Sequence, residues 1–196
     1  MGLFANLPAN LSGAWDVMNG RIEGLRKLDL TIDGFWASFG AIVLILPVAL
    51  IALASERVAL AAIGGEAVTL TGGYVLLRLI MVLIDWLVFP AILALLARPM
   101  GITTRFVPYI VARNWAAVPV AAMFAVPHFF HALGVLPTGI LPFVLFIMLG
   151  IAVWFAYIVV RTAMQVPPVL AIPIVVLEIA SGLAIEMFFS RLASGG

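Results

Sequence analysis

Cysteine is missing from the 196-residue chain, which excludes disulfide staples, thiolate metal sites and thiol nucleophiles together. Charge is scarce as well: Asp, Glu, Lys and Arg make up 10% of the residues, where a soluble domain carries about a quarter. The few charges nearly cancel, ten basic against nine acidic, so no basic excess is available to clamp phosphates. Nucleic acid is not an expected partner. Catalytic signatures are missing too. No HExxH marks an intramembrane metalloprotease and no GxSxG a hydrolase elbow, and neither Gly64-Gly65 nor Gly72-Gly73 is followed by the lysine of a phosphate cradle. His128 and His131 form an HxxH pair, but two ligands leave a metal site incomplete, and an aromatic turn at the membrane interface accounts for them better. No enzyme activity, metal or cofactor is expected.

What the chain has in abundance is apolar surface. Hydrophobic residues make up 65% and the mean hydropathy is +1.27, so the solvent for most of the protein is lipid. A hydrocarbon core of about 30 Å needs roughly 20 apolar residues as helix. Five stretches qualify: 35–54, 74–97, 106–126, 139–160 and 169–189. The expected fold is therefore all-α, a polytopic membrane bundle of about five transmembrane helices behind an N-terminal amphipathic helix. Residues 1–33 form a cytoplasmic amphipathic segment and 34–196 the transmembrane domain. Turn signals separate the spans at Ser55-Glu56-Arg57 and Gly64-Gly65-Glu66, at Arg98-Pro99-Met100-Gly101, over 127–137 and over 161–168. No cleaved leader is expected, because Pro8, Asn10, Asp16, Asn19, Arg21 and Glu23 interrupt any early apolar core.

Orientation follows from the basic residues. With the N-terminus inside, the cytoplasmic face collects Arg21, Arg26, Lys27, Arg98, Arg105 and Arg161, against Arg57 and Arg191 outside, so the C-terminus is expected outside. Arginine at every basic position but Lys27 fits a GC-rich genome, and hence a bacterial inner membrane. In the N-terminal segment Leu11, Trp15, Met18, Ile22 and Leu25 recur at helical spacing. Gly13, Gly20 and Gly24 each cost such a helix about 1 kcal/mol, so it forms against membrane or partner, or breaks. Each span contains a proline, Pro47, Pro90, Pro108 with Pro119, Pro142 and Pro173, and kinks are expected there.

The costly residues are the polar ones within the spans. Arg78 and Asp85 fall in the second, Arg113 and Asn114 in the third, Glu178 and Glu186 in the fifth. A central charge costs at least about 2.5 kcal/mol on insertion scales, so the six should converge inside the bundle. Arg78 and Asp85, seven apart, share a face but stand about 10 Å apart along the axis, so they pair with other helices rather than each other. One role for this group is a buried network that fixes helix register. The other is an ion or proton site: two arginines face three carboxylates, and Glu178, central and six residues after Pro173, is the candidate for the unmatched one.

Residues 29–36, Asp-Leu-Thr-Ile-Asp-Gly-Phe-Trp, resemble the Asp-Leu-x-Gly-Pro type motif that precedes the first span in the Yip family of five-span membrane proteins, with Phe35 in place of the proline. Residues 109–119, Tyr-Ile-Val-Ala-Arg-Asn-Trp-Ala-Ala-Val-Pro, are similar to that family's third helix, and Gly73-Tyr74 to a further signal. The resemblance covers 29 to about 189. It implies a polytopic scaffold that contacts other membrane proteins, with no catalytic residue; the Rab/Ypt partner does not carry over to bacteria. The expected function is a non-enzymatic scaffold or accessory subunit whose partners are the lipid bilayer and another membrane protein or a second copy. The alternative is a small ion- or proton-coupled solute transporter or channel component using the buried carboxylates.

Overall fold

A computed structural model describes residues 6–62 and 71–194, with side chains through Arg191. Among the described residues the chain forms seven α-helices: α1 (Leu7–Met18), α2 (Ile32–Ser38), α3 (Ile42–Ala62), α4 (Gly72–Ala97), α5 (Thr103–Ala132), α6 (Leu141–Met164) and α7 (Pro168–Ser194). A 3-10 turn, Phe39–Ala41, joins α2 to α3, making one continuous span of 31 residues. This span and α4 to α7 are the five helices long and apolar enough to cross a membrane, and the protein is an integral membrane protein built as an all-α bundle. The expected turn at Gly64-Gly65-Glu66 lies outside the described residues.

The third span, α5, is the centre of the bundle: 39% of its apolar stretch is buried, against 22% or less in the other four. It packs most extensively on α3 and α6, while α7 packs on α4 and α6. The difference is written in its sequence, where small residues and polar groups such as Ala112, Asn114 and Ala116 replace the Leu and Phe that face lipid elsewhere.

Two expected breaks are helical instead. Helix α3 runs past Ser55-Glu56-Arg57 to Ala62, and α5 runs through Pro127 to Ala132. Hydropathy alone ends both spans early, yet their last turns hold polar side chains satisfied by neighbouring helices. The stop for α5 comes at Gly134, which adopts φ +74°. There Val135 N–H bonds to Phe130 C=O at 2.9 Å and Gly134 N–H to His131 C=O at 2.9 Å, closing the helix with a glycine in the left-handed region. Among the expected kinks, Pro142 sits in the first turn of α6, where no helical hydrogen bond is lost; Pro47, Pro90, Pro108, Pro119 and Pro173 are interior.

The N-terminal segment is not one amphipathic helix over 11–25 but a hairpin. Helix α1 ends at Asn19, Gly20 takes φ +78°, and a 3-10 helix, Ile22–Lys27, folds back along α1. The two pieces cross at Gly13 and Gly24: a Cβ added to Gly24 would lie 2.5 Å from the Gly13 carbonyl oxygen, and one added to Gly13 2.8 Å from that of Gly24. Only glycine permits this backbone contact. Lys27 Nζ then donates to Ser12 Oγ at 2.8 Å and to Asp16 Oδ2 at 2.6 Å. Ala14, Val17, Met18 and Leu28 join the same apolar core as the spans, through α5 and α6.

Candidate functional site

The six polar span residues divide into two interhelical groups and one isolated carboxylate. The deeper group is centred on α5. Arg113 Nε donates to Glu178 Oε1 of α7 at 2.5 Å, and Tyr109 OH donates to Glu178 Oε2 at 3.4 Å. Arg113 Nη1 donates to Asn114 Oδ1 at 3.3 Å, Asn114 Nδ2 to Ser38 Oγ at 3.0 Å, and Ser38 Oγ to the Phe35 carbonyl at 2.7 Å. One chain of hydrogen bonds thus links α7, α5 and α2. The guanidinium also faces the rings of Phe89 and Trp86, with centroids at 4.8 and 5.6 Å, and Trp86 Nε1 donates to the Phe39 carbonyl.

The second group lies nearer the opposite end of the bundle. Arg78 Nη2 bonds both carboxylate oxygens of Glu56 at 2.6 and 2.7 Å, Nη1 donates to Glu186 at 3.3 Å and Nε to Tyr74 OH at 3.2 Å. It is the more open of the two, with Glu186 51% exposed where Glu178 is 22%. Glu56 was hidden from sequence reasoning because Ser55-Glu56-Arg57 reads as a turn. Its signal was available in the spacing: α3 has to continue one more turn for a carboxylate to reach Arg78.

Asp85 belongs to neither group. Among the described residues it makes no hydrogen bond and no ion pair, and it faces α7 where a Cβ on Gly182 would stand 3.4 Å from its Oδ1. The expectation that Glu178 is the unmatched carboxylate is therefore corrected: Glu178 is held by Arg113, and Asp85 is the one left over. Its place midway along α4 keeps it out of hydrogen-bond reach of both arginines, while Arg113 stays near enough to act on it electrostatically.

Neither histidine sits in a loop. His131 is fully buried, and Ser55 Oγ lies 2.8 Å from His131 Nδ1 and 3.0 Å from His128 Nδ1, with Thr138 Oγ1 3.2 Å from His131 Nε2. This cluster bolts α3 to α5. No group of three or more His, Cys, Asp or Glu able to hold a metal ion occurs among the described residues.

Between α5, α6 and α7 lies a cavity of about 220 Å³. Ala116 and Ala117 from α5 and Ala152 and Ala156 from α6 line its walls beside larger apolar residues such as Phe155 and Ile179, and Tyr109, Arg113 and Glu178 form its polar end. At the start of the first span, the motif-like stretch 29–36 acquires a structural role. Asp29 Oδ1 accepts from the N–H and hydroxyl of Thr31 at 3.0 and 2.6 Å, which hold its carboxyl below the usual carboxylate range. Thr31 caps α2 by accepting from Gly34 N–H at 3.1 Å, and Gly34 is pressed against Asp29. Comparison with protein-family models, curated proteins and solved structures gave no match.

Proposed function

We propose that this integral membrane protein is a non-enzymatic scaffold or accessory subunit of Yip-like type, which presents its N-terminal hairpin to another membrane protein or to a second copy. The observation that carries the reading is the build of that hairpin. Backbone contact at Gly13 and Gly24 fixes it, and it docks on the ends of α5 and α6 while Trp15 and Ile22 stay 52% and 44% exposed. A surface ordered in advance loses little conformational freedom on binding, and aromatic side chains are favoured anchors at interfaces. The interhelical ion pairs support the same reading, since they spend the charge of Arg113, Glu178, Arg78, Glu56 and Glu186 on holding helices together.

A cytoplasmic N-terminus in a bacterial inner membrane is part of the proposal, supported by the bias of basic residues toward that end. The test is photo-crosslinking in native membranes from positions 15 and 22. A protein adduct of reproducible mass is the expected result; adducts with lipid alone at both positions would sink the scaffold reading.

Asp85 favours a second reading, an ion- or proton-coupled transporter, because a mid-span carboxylate with no hydrogen bond and no ion pair among the described residues is costly unless it exchanges a proton or cation. Flux in proteoliposomes that falls to background in Asp85→Asn, at unchanged expression, would establish it. Background flux in both proteins removes it.

A further inference from the structure

The α5–α6–α7 cavity has the makings of a binding site that the scaffold reading does not use. Its polar end is unevenly satisfied. A guanidinium carries five N–H donors, and Arg113 directs Nε to Glu178 and Nη1 to Asn114, while Nη2 makes no hydrogen bond among the described residues. Its side chain is only 13% exposed, and the aromatic faces of Phe89 and Trp86 that cover it accept no in-plane hydrogen bond from Nη2. No buried side-chain donor or acceptor among the described residues lacks a partner, so Nη2 keeps some access, and beside an apolar cavity that open donor favours an occupant that brings an acceptor.

The charge of Arg113 narrows that occupant. Glu178 already matches it at 2.5 Å, and Asp85 acts on the same guanidinium electrostatically. An anionic head would add a further negative charge to a matched pair, so the acceptor has to be neutral. Depth narrows it again. Arg113 lies ten residues into α5, about 15 Å along a helix of about 45 Å; with the excess over a hydrocarbon core of about 30 Å shared between the two ends, it stands about 7 Å below the hydrocarbon edge. A phospholipid headgroup stays at the bilayer surface, whereas a molecule that carries its acceptors on an otherwise apolar ring dissolves at this depth. Size fits the same class. A dry apolar cavity of about 150 Å³ takes benzene, so about 220 Å³ admits a substituted six-membered ring. The alanines in its walls leave the ring flat faces to lie against, and exposed Leu149 marks the side on which a tail would run out into lipid.

We propose that this cavity binds the headgroup of a membrane-soluble quinone, with a ring carbonyl accepting from Arg113 and the hydrocarbon tail leaving between α5 and α6. The proposal concerns binding alone and assigns no electron transfer to the protein. It stands independently of the scaffold reading.

Purified protein in nanodiscs is titrated with a benzoquinone carrying a decyl tail, and binding is read from the quenching of tryptophan fluorescence. Decylbenzene and decanoate serve as the neutral and anionic comparisons. The expected result is saturable quinone binding at least tenfold tighter than either comparison. It is also expected to weaken at least tenfold in Ala156→Phe and in Ala117→Phe, which fill the cavity from opposite walls and leave the Arg113–Glu178 pair intact. Two variants are used so that one which fails to keep the parent thermal midpoint can be set aside for the other; if both fail, competition by decylbenzene on the parent protein decides. Absence of saturable binding, equal binding of decylbenzene or decanoate, or unchanged affinity in a folded cavity-filling variant overturns the proposal.

Discussion

Arg113 and Glu178 matter to the fold as a pair, because each removes the cost of burying the other. Glu178→Gln leaves the guanidinium in an apolar setting without its counter-ion, and a loss of about 3 kcal/mol is expected, seen as a lowered unfolding midpoint in detergent. Replacing both by methionine is expected to restore most of that loss, since a matched apolar pair needs no desolvation. If the double variant is no more stable than Glu178→Gln, the pair is doing something other than neutralising itself. At the membrane surface the sign of a charge effect is equally legible. Asp16 has its carboxyl lowered below the usual range, first by the hydrogen bond from Lys27 and then by Arg21. A carboxylate lowered on folding stabilises the folded form above its unfolded pKa and loses that contribution as pH falls through the folded value. The hairpin is therefore expected to hold at neutral pH and to loosen below about pH 4. Trp15 reports this, because its ring lies 6.5 Å from Phe155 of α6: its fluorescence should change over that acid range in the parent and not in Asp16→Asn.

The hairpin outside the spans carries a strict sequence requirement of its own. Gly24→Val places methyl groups against the Gly13 backbone, an overpacking worth about 2 kcal/mol, which would raise the open population of the hairpin about 30-fold. Limited proteolysis between residues 19 and 31 should accelerate accordingly while the spans stay protected. Equal cleavage rates would mean that the crossing does not hold the hairpin shut. Nothing in the hydropathy pattern points to this crossing. The five spans were readable because lipid imposes length and composition on each helix separately, with no knowledge of its neighbours. The hairpin and the polar groups depend on which helices touch, and that is where reading residue by residue fails. Glu56 and His131 show it well: both sit where apolar runs end, so each looks like a loop residue until α3 and α5 are placed side by side. Arg113 and Glu178 were legible as costly residues, and counting puts Glu178 near the middle of its span and Arg113 toward the inner third of its own, with a stem long enough to reach up. That Glu178 rather than Asp85 would take the arginine was not, because it turns on the rotation of α4 against α7.

The whole chain lends itself to a direct test of which side is which, since it has no cysteine to remove first. Single cysteines at Ser12 and Gly134 mark opposite ends of the bundle. In sealed cells a membrane-impermeant maleimide is expected to label Gly134→Cys and to spare Ser12→Cys until the membrane is opened; the reverse pattern inverts the proposed orientation. The spans also differ in length. At 1.5 Å per residue, the 31-residue first span and the 30-residue α5 measure about 46 and 45 Å, the 27-residue α7 about 40 Å and the 24-residue α6 about 36 Å. All exceed the thickness of hydrocarbon they cross, and the long pair exceeds it most. Two neighbouring helices that overshoot the bilayer while α6 barely outruns it give the protein an uneven rim, so lipid packed against α3 and α5 meets a taller wall than lipid packed against α6. Such a protein deforms the surrounding leaflets asymmetrically, and membrane thickness itself becomes a variable to which its position and its neighbours respond.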